Sequence, residues 1–470
     1  MSYTSFSFLI CFMPPLLFFY WSFRKNTRIQ NSVLLIGSLV FYASYGKRGS
    51  VVLLACILLT YFGGKVVANQ KNYTYVFVVL NVLILLGFKY GTRMFQNSGW
   101  AMPLGLSFYI FQSTGYLLDI ANGKSEAEIN IVDYALFVSF FPTIVSGPIL
   151  KSRQYLPKIK SSKTISYDSF LSSLLVFLYG LFLKMVVADR LALFTGPVFQ
   201  NYADYEGGIV FLSAILYSLE IYCDFFGYTC MVSAIAGLFG YTLPDNFRQP
   251  YFSKTINEFW KRWHMSLTSW LTEYIYFPLG GNRKGTARKH LNILIIFVIS
   301  ALWHGTGNHF LIWGILHAFY RIFGEITRNL RYKFTEFLHI DRNKAGYQFL
   351  QQLFIFGLVT FAWIFFRADS VSSAIGFIDR ILMDFHVHVF FDGSIYQFAV
   401  DEIHFHVLFI ALEVVLLVSC FREKGKTASS IVNENLVIRW SVLLLLLFTI
   451  LIAGVYGPSY NAGNFIYANF

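Results

Sequence analysis

The sequence predicts an all-α, polytopic membrane protein, and three observations predict it. Hydrophobic residues make up 56% of the 470-residue chain and charged residues only 13%, against about 25% charged in a soluble domain. Apolar runs of roughly 17–25 residues, the length that crosses a bilayer as a helix, recur throughout. These runs are apolar all round, whereas barrel strands alternate over about ten residues. Lys and Arg gather in short clusters between the runs, which is the signature of the positive-inside rule. That distribution accounts for the net charge of +12 without a nucleic-acid partner.

The elements follow in order. An apolar run over 5–21 lacks the basic start and small-residue cleavage site of a signal peptide and reads as a retained first span. Arg24, Lys25 and Arg28 close it on the cytoplasmic side. Runs 31–45, 50–63, 73–90 and 101–121 come next. Segment 131–149 is apolar but carries Pro142, Gly147 and Pro148. It is therefore expected to be re-entrant, which is permitted at membrane depth where protein surrounds the loop. A second basic cluster (Lys151, Arg153, Lys158, Lys160 and Lys163) precedes runs 166–189 and 207–228. The stretch 244–290 is polar, basic and aromatic at once. It is expected to form interfacial helices partly sunk into the cytoplasmic leaflet. Runs 291–305, 308–324, 347–366, 403–421 and 436–456 complete the set, giving about 11–13 transmembrane helices.

Two more basic clusters, Arg328 to Lys344 and Arg422 to Lys426, belong with the first two. The acidic region 379–402 faces the opposite side. The sides alternate only if 131–149 does not fully cross and 207–243 crosses once. The uncharged aromatic tail, residues 457–470, is then extracytoplasmic. No internal repeat or soluble segment is evident, so 1–470 reads as a single membrane domain.

Candidate chemistry is sparse. The five cysteines, Cys11, Cys56, Cys223, Cys230 and Cys420, are odd in number and form no CxxC, so neither a disulfide framework nor a zinc site is indicated. No metal is expected: the four-residue gap between His304 and His309 fits neither a helical pair nor a metal motif. His386, His388, His404 and His406 read as a solvated face, and His317 as a weak candidate. GxGxxG, Walker, GxSxG and HExxH motifs are absent. His304 stands between two short apolar runs, and an ionisable residue at that depth is a functional candidate. A neutral imidazole accepts and donates protons near neutral pH; a packing role fits its position equally. His264, beside Arg262 and Trp263, reads either as an aromatic-belt anchor or as a polar partner at a tunnel mouth. Asp224 and Glu220 lie in an apolar run and need partners, either a histidine or an arginine.

The motifs Asn246-Phe247-Arg248-Gln249-Pro250-Tyr251, Phe259-Trp260-Lys261-Arg262-Trp263-His264-Met265-Ser266-Leu267, Tyr276-Phe277-Pro278-Leu279-Gly280-Gly281-Asn282-Arg283 and Leu302-Trp303-His304-Gly305 closely resemble the membrane-bound O-acyltransferase superfamily. They place the catalytic core motifs in 244–306. Pro103 to Tyr109, Phe141 to Pro148 and Asp224 to Tyr228 fit the same pattern. The resemblance is to the bacterial branch of alginate O-acetylases, peptidoglycan O-acetyltransferases and D-alanyl teichoic-acid transferases.

It implies a ring of helices around a central tunnel, in the bacterial cytoplasmic membrane. His304 is then the expected catalytic base and His264 the second essential polar residue. Trp303, Trp263, Arg262, Asp224 and Asn246 are expected to support the tunnel. Acetyl-CoA is the expected donor, and the outward partner a secreted SGNH/GDSL-like serine esterase-type transferase. Oxyanion donors are Trp303, His264 or backbone N–H groups, left unranked. D-alanyl transfer from a carrier protein is the alternative within the family. The aromatic ending Asn464 to Phe470 resembles the acetylase branch, and Tyr467 is a candidate acyl relay or, equally compatibly, an anchor. A glycan or lipid transporter is the alternative of another class.

Overall fold

The computed structural model describes residues 1–94, 101–396, 400–456 and 465–466. Among the described residues there is no strand. In chain order the helices are α1 (Met13–Ser22), α2 (Thr27–Ala43), α3 (Lys47–Asn69), α4 (Thr74–Met94), α5 (Leu106–Ala121), α6 (Ile131–Ser139), α7 (Phe141–Ile144), α8 (Ser152–Lys160), α9 (Tyr167–Leu181), α10 (Asp189–Gln200), α11 (Gly207–Leu238), α12 (Ile256–Arg262), α13 (Met265–Leu271), α14 (Thr286–His304), α15 (Asn308–Ile326), α16 (Arg328–Phe337), α17 (Ala345–Arg367), α18 (Val371–Met383), α19 (Glu402–Glu423), α20 (Ala428–Val432) and α21 (Leu436–Ala453).

Among the described residues, 8 helices are long and apolar enough to cross a membrane. They cover the expected runs at α3, α4, α9 with α10, α11, α14, α17, α19 and α21. The other expected spans fall on shorter or more polar helices. These are Ser7–Ser22, α2, α5 and α15, the last carrying His309, His317, Arg321 and Glu325.

Two spans run longer than their apolar cores suggested. A π-helical turn, Phe182–Ala188, joins α9 to α10 without a break, so the combined helix covers Tyr167–Gln200. A π turn brings residues five apart into register, and here it sets Lys184 Nζ 2.8 Å from Asp189. The second long helix, α11, has 32 residues and rises about 48 Å at ~1.5 Å per residue. It is one continuous helix, long and apolar enough to cross once, which is what the alternation of sides requires. α9 and α11 touch backbone to backbone at two glycines. A Cβ added to Gly180 would lie 2.7 Å from the Gly227 carbonyl oxygen, the close approach that small residues permit in membrane helix pairs.

The 131–149 segment enters the bundle and returns. α6 ends at Ser139, Phe140 breaks the helix, and Pro142 sits in the first turn of the four-residue α7. Residues 139–150 are all buried. The Asn31 amide donates to Asp133 at 2.8 Å and to the Ile159 carbonyl at 3.1 Å, so both flanks meet at one end of α2. Gly105, at φ +70, lies under this loop, where any Cβ would collide with the Ile144 carbonyl. Only glycine satisfies both the left-handed backbone and the missing space.

The basic clusters share one end of the bundle. Trp21, beside the first cluster, donates to Leu238 O at 3.1 Å, at the C-terminus of α11. Lys158 of the second donates to Thr242. Beside the third, Gln348 accepts from Lys254 at 2.8 Å, and Arg422 of the fourth lies over the Phe226 ring. The acidic region meets the other end of α11, where Gly207 N–H donates to Asp384 O at 3.0 Å. Near the basic end Glu273 gathers Arg153, Lys124 and Lys151 at 2.6–2.8 Å. The Arg153 guanidinium, with the two lysines, holds the Glu273 carboxyl well below the usual carboxylate range.

The 244–290 stretch departs from expectation. Its centre is inside the protein: Phe247, Phe259, Trp263 and His264 are at most 1% exposed. Trp263 packs on Phe247, Phe259 and Trp363 at ring distances of 5.0–5.5 Å. This density of rings gains more from burial against α11 and α17 than from lying at an interface.

Candidate active site

His264 sits at a break. α12 ends at Arg262 and α13 starts at Met265, with His264 between them in a left-handed conformation (φ 43, ψ 55). A non-glycine residue there costs energy and persists where neighbours fix it. Asn246 supplies the fixing. Its carbonyl accepts from Met265 N–H at 3.0 Å and its Oδ1 from Ser266 N–H at 3.1 Å. The Ser266 hydroxyl accepts from Ile149 N–H at 3.1 Å, and Tyr228 Oη from Ser146 N–H at 3.1 Å. The motifs at 141–148, 224–228, 246–251 and 262–267 thus converge in one hydrogen-bonded knot. On the other side of His264, Arg262 pairs with Glu258 at 2.9 Å and with Glu423 at 2.8 Å. His264 is therefore a core residue, and the aromatic-belt reading of it falls.

His304 is the last residue of α14 and is 3% exposed. Its ring is walled by Trp303, Trp313 and Phe366 at 4.8, 5.1 and 5.2 Å. His264 is walled by Phe225 at 4.9 Å and by Trp303 at 6.0 Å. Trp303 thus stands between the two histidines. Its indole N–H is buried and has no acceptor among the described residues. Gly305 is glycine because a Cβ there would overlap the Phe310 ring, which packs edge-on against Phe366 at 5.3 Å. Water is largely excluded, so donor groups here act at low dielectric.

The sequence reading passed over Lys89. It reaches from α4 to the Trp303 carbonyl, with the Leu302 carbonyl at 3.5 Å. Final carbonyls of a helix lack intrahelical partners and favour a cation, so Lys89 caps α14 where His304 begins. A lone lysine in the 73–90 run was the available signal.

Asp224 bonds neither a histidine nor an arginine: it pairs with Lys184 at 2.7 Å. Glu220 accepts from the Thr195 hydroxyl. His309 Nδ1 lies 3.0 Å from Phe365 O, and His317 Nδ1 accepts from Trp260 at 3.3 Å, so both serve packing. His386 and His388 lie against Glu206 at 3.2 and 3.4 Å. Among the described residues no group of three His, Cys, Asp or Glu is placed to hold a metal. Tyr467 lies outside the described residues. Phe465 and Ile466, just before it, do not extend outward: Phe465 is 4% exposed and packs on Tyr228 at 5.1 Å inside the bundle.

Comparison with known proteins agrees with this arrangement. The family model described as "MBOAT, membrane-bound O-acyltransferase family" matches residues 124–366, which hold the re-entrant loop and both histidines. The chain is 32% identical to "Probable alginate O-acetylase AlgI" of Azotobacter vinelandii, over 80% of this chain and 76% of that protein. It is 31% identical to "Peptidoglycan O-acetyltransferase" of Helicobacter pylori, over 78% and 77%. It is 27% identical to "Teichoic acid D-alanyltransferase" of Streptococcus thermophilus, over 69% and 82%. With its motif knot, its two buried histidines and these matches, the chain belongs to the membrane-bound O-acyltransferase family and is a multi-pass membrane O-acyltransferase.

Proposed function

We propose that the chain takes an acetyl group from acetyl-CoA on the cytoplasmic side and delivers it across the membrane for O-acetylation of a cell-surface or secreted polysaccharide. The observation that carries this reading is Trp303, with its unaccepted indole N–H, between His264 and His304. Ester formation needs a base for the attacking hydroxyl and a donor for the oxyanion. His304 takes the hydroxyl proton, and the oxygen attacks the thioester carbonyl. The Trp303 N–H, buried beside both imidazoles and without an acceptor among the described residues, is assigned to the resulting oxyanion. Collapse expels the CoA thiolate, which takes up the proton from the imidazolium. The basic end of the bundle is assigned to the cytoplasm by the positive-inside rule, in a bacterial inner membrane.

The first acceptor in this reading is the Tyr467 phenol. Its acetyl ester then passes to an extracytoplasmic SGNH-type transferase, which modifies the polymer. Radiolabelled acetyl-CoA tests the donor: label on the protein or polymer is expected, and labelling from a D-alanyl carrier protein alone would assign the other donor.

His264 acts on the donor side, next to the Arg262–Glu423 pair at the basic end. His264→Ala is expected to lower consumption of acetyl-CoA thioester at least about tenfold, within the range for a general acid–base group. Changes in the tail are expected to leave acetyl-CoA binding unaltered. Unaltered thioester turnover in the His264→Ala protein returns the residue to a packing role.

A further inference from the structure

We propose that Lys184 and Asp224 form a buried latch that seizes the C-terminal tail by its main chain and fixes which tail residue is presented to the histidine pair. The proposal rests on the acyl-transfer reading above and concerns how the tail is positioned. Asp224 lies about 26 Å along α11 from its N-terminus, at ~1.5 Å per residue, deep in the apolar bundle. Its two oxygens have separate tasks. Oδ1 takes Lys184 Nζ at 2.7 Å, and Oδ2 accepts the Ile466 N–H at 2.8 Å.

Lys184 also pairs with Asp189 at 2.8 Å, so its ammonium is shared between two carboxylates. With Oδ1 taken by the ammonium, Oδ2 is left to take a main-chain donor, and the tail N–H is that donor. The lysine ammonium also lies 4.4 Å from the centre of the Phe465 ring. One ion pair therefore grips two consecutive tail residues, one through its ring and one through its backbone.

The grip on the backbone is the informative part. A pocket for a side chain tolerates slippage of the chain by a residue or two when neighbours are similar. A carboxylate on one particular N–H, with the preceding ring clamped, sets the register, and the next residue in sequence is Tyr467. The latch is also adjacent to the site: Phe225, next to Asp224, is the residue whose ring stands 4.9 Å from His264. Lys184 and Asp224 are positioning residues in this scheme and touch no reacting atom.

Two variants test it in the full-length, detergent-purified chain. Ile466→Pro removes the donated N–H and leaves the buried pair intact. Lys184→Met with Asp224→Leu and Asp189→Leu removes all three charged partners by apolar replacement, which cores tolerate better than loss of one partner. Digestion with carboxypeptidase Y, which releases proline, read by mass spectrometry and normalised to the same chain unfolded, reports tail capture without donor, acceptor or partner. The wild-type ladder is expected to leave Ile466 in place, and both variants are expected to increase the fraction trimmed past it at least tenfold. Polymer acetylation is expected to fall at least tenfold in both. The same triple variant with Asp224→Asn in place of Asp224→Leu keeps an oxygen for the Ile466 N–H and is expected to restore capture and acetylation towards wild type. A pair that only staples α9–α10 to α11 gives the wild-type ladder in Ile466→Pro, and that result overturns the latch. Trimming past Ile466 with full polymer acetylation overturns its positioning role. Failure of the acyl-transfer reading has a different signature: a normal ladder response in a chain that no acetyl donor labels.

Discussion

His304→Ala is expected to leave a folded protein that acetylates polymer about 10³-fold more slowly, the middle of the range for loss of a general base. The fold should survive because the ring is held by its walls, Trp303, Trp313 and Phe366, and those rings also contact one another: Trp313 meets Phe366 at 5.2 Å. The cost of the small cavity, on the order of 2 kcal/mol, is spread over a large bundle. Activity should not survive, because His309 lies on Phe365 O and His317 on Trp260, and His264 stands across Trp303 from the vacated position. Size-exclusion elution and the thermal midpoint in detergent establish folding, and transfer of label from acetyl-CoA to polymer establishes activity. A well-folded His304→Ala protein with full transfer sinks the catalytic assignment. Loss of folding together with activity is resolved by His304→Gln, which keeps the volume and removes the base.

Tyr467→Phe is expected to abolish polymer acetylation while leaving partner binding in place. The substitution keeps the ring and deletes only the oxygen, so the two roles open to Tyr467 separate cleanly. A relay needs the hydroxyl: once His304 removes its proton, the phenolate is a workable nucleophile, and the aryl ester is reactive enough for a second transfer. An anchor needs only the ring. Mass spectrometry of the C-terminal peptide should show acetyl on Tyr467 when the extracytoplasmic transferase is absent, and loss of that mass on adding partner and polymer. A fully active Tyr467→Phe protein leaves the tail as a docking element. Full-rate acetylation of long polysaccharide by the purified chain alone removes the need for a partner.

Much of the architecture was legible in the sequence because membrane helices are announced by composition. Pro142 and Gly147 marked the broken segment, and charge parity required α11 to be one crossing. The motif histidines were legible too, through pattern, but their depth was not. Trp and Arg around His264 suit an interface as well as a core, and only the packing of Trp263 on Phe247 and Trp363 decides between them. Lys89 and Lys184 went unnoticed because each is one polar residue in a long apolar run, where averaging hides it. Their partners, a helix-end carbonyl and an aspartate forty residues on, are tertiary facts. The path of the tail was equally hidden: the charge pattern gives the side on which α21 ends, and nothing in it shows that Phe465 turns back into the bundle.

The π turn at Phe182–Ala188 has a consequence for biogenesis. The helix carrying Lys184 emerges from the ribosome before Asp224 emerges. At roughly 5–20 residues per second, the intervening stretch takes seconds to appear. A lysine at the centre of a spanning helix costs about 3 kcal/mol at insertion. By setting Asp189 against Lys184 within the same helix, the π turn lets this segment enter the lipid as a self-neutralised pair, without waiting for α11. The later partner then exchanges into a site already wetted by charge. In a glycosylation-tagged insertion assay of the 167–200 segment alone, Asp189→Asn is expected to lower the inserted fraction, and an unchanged fraction would show that the nascent helix does not use its own aspartate. A turn that looks like an irregularity in the finished bundle is, during synthesis, what makes the helix insertable.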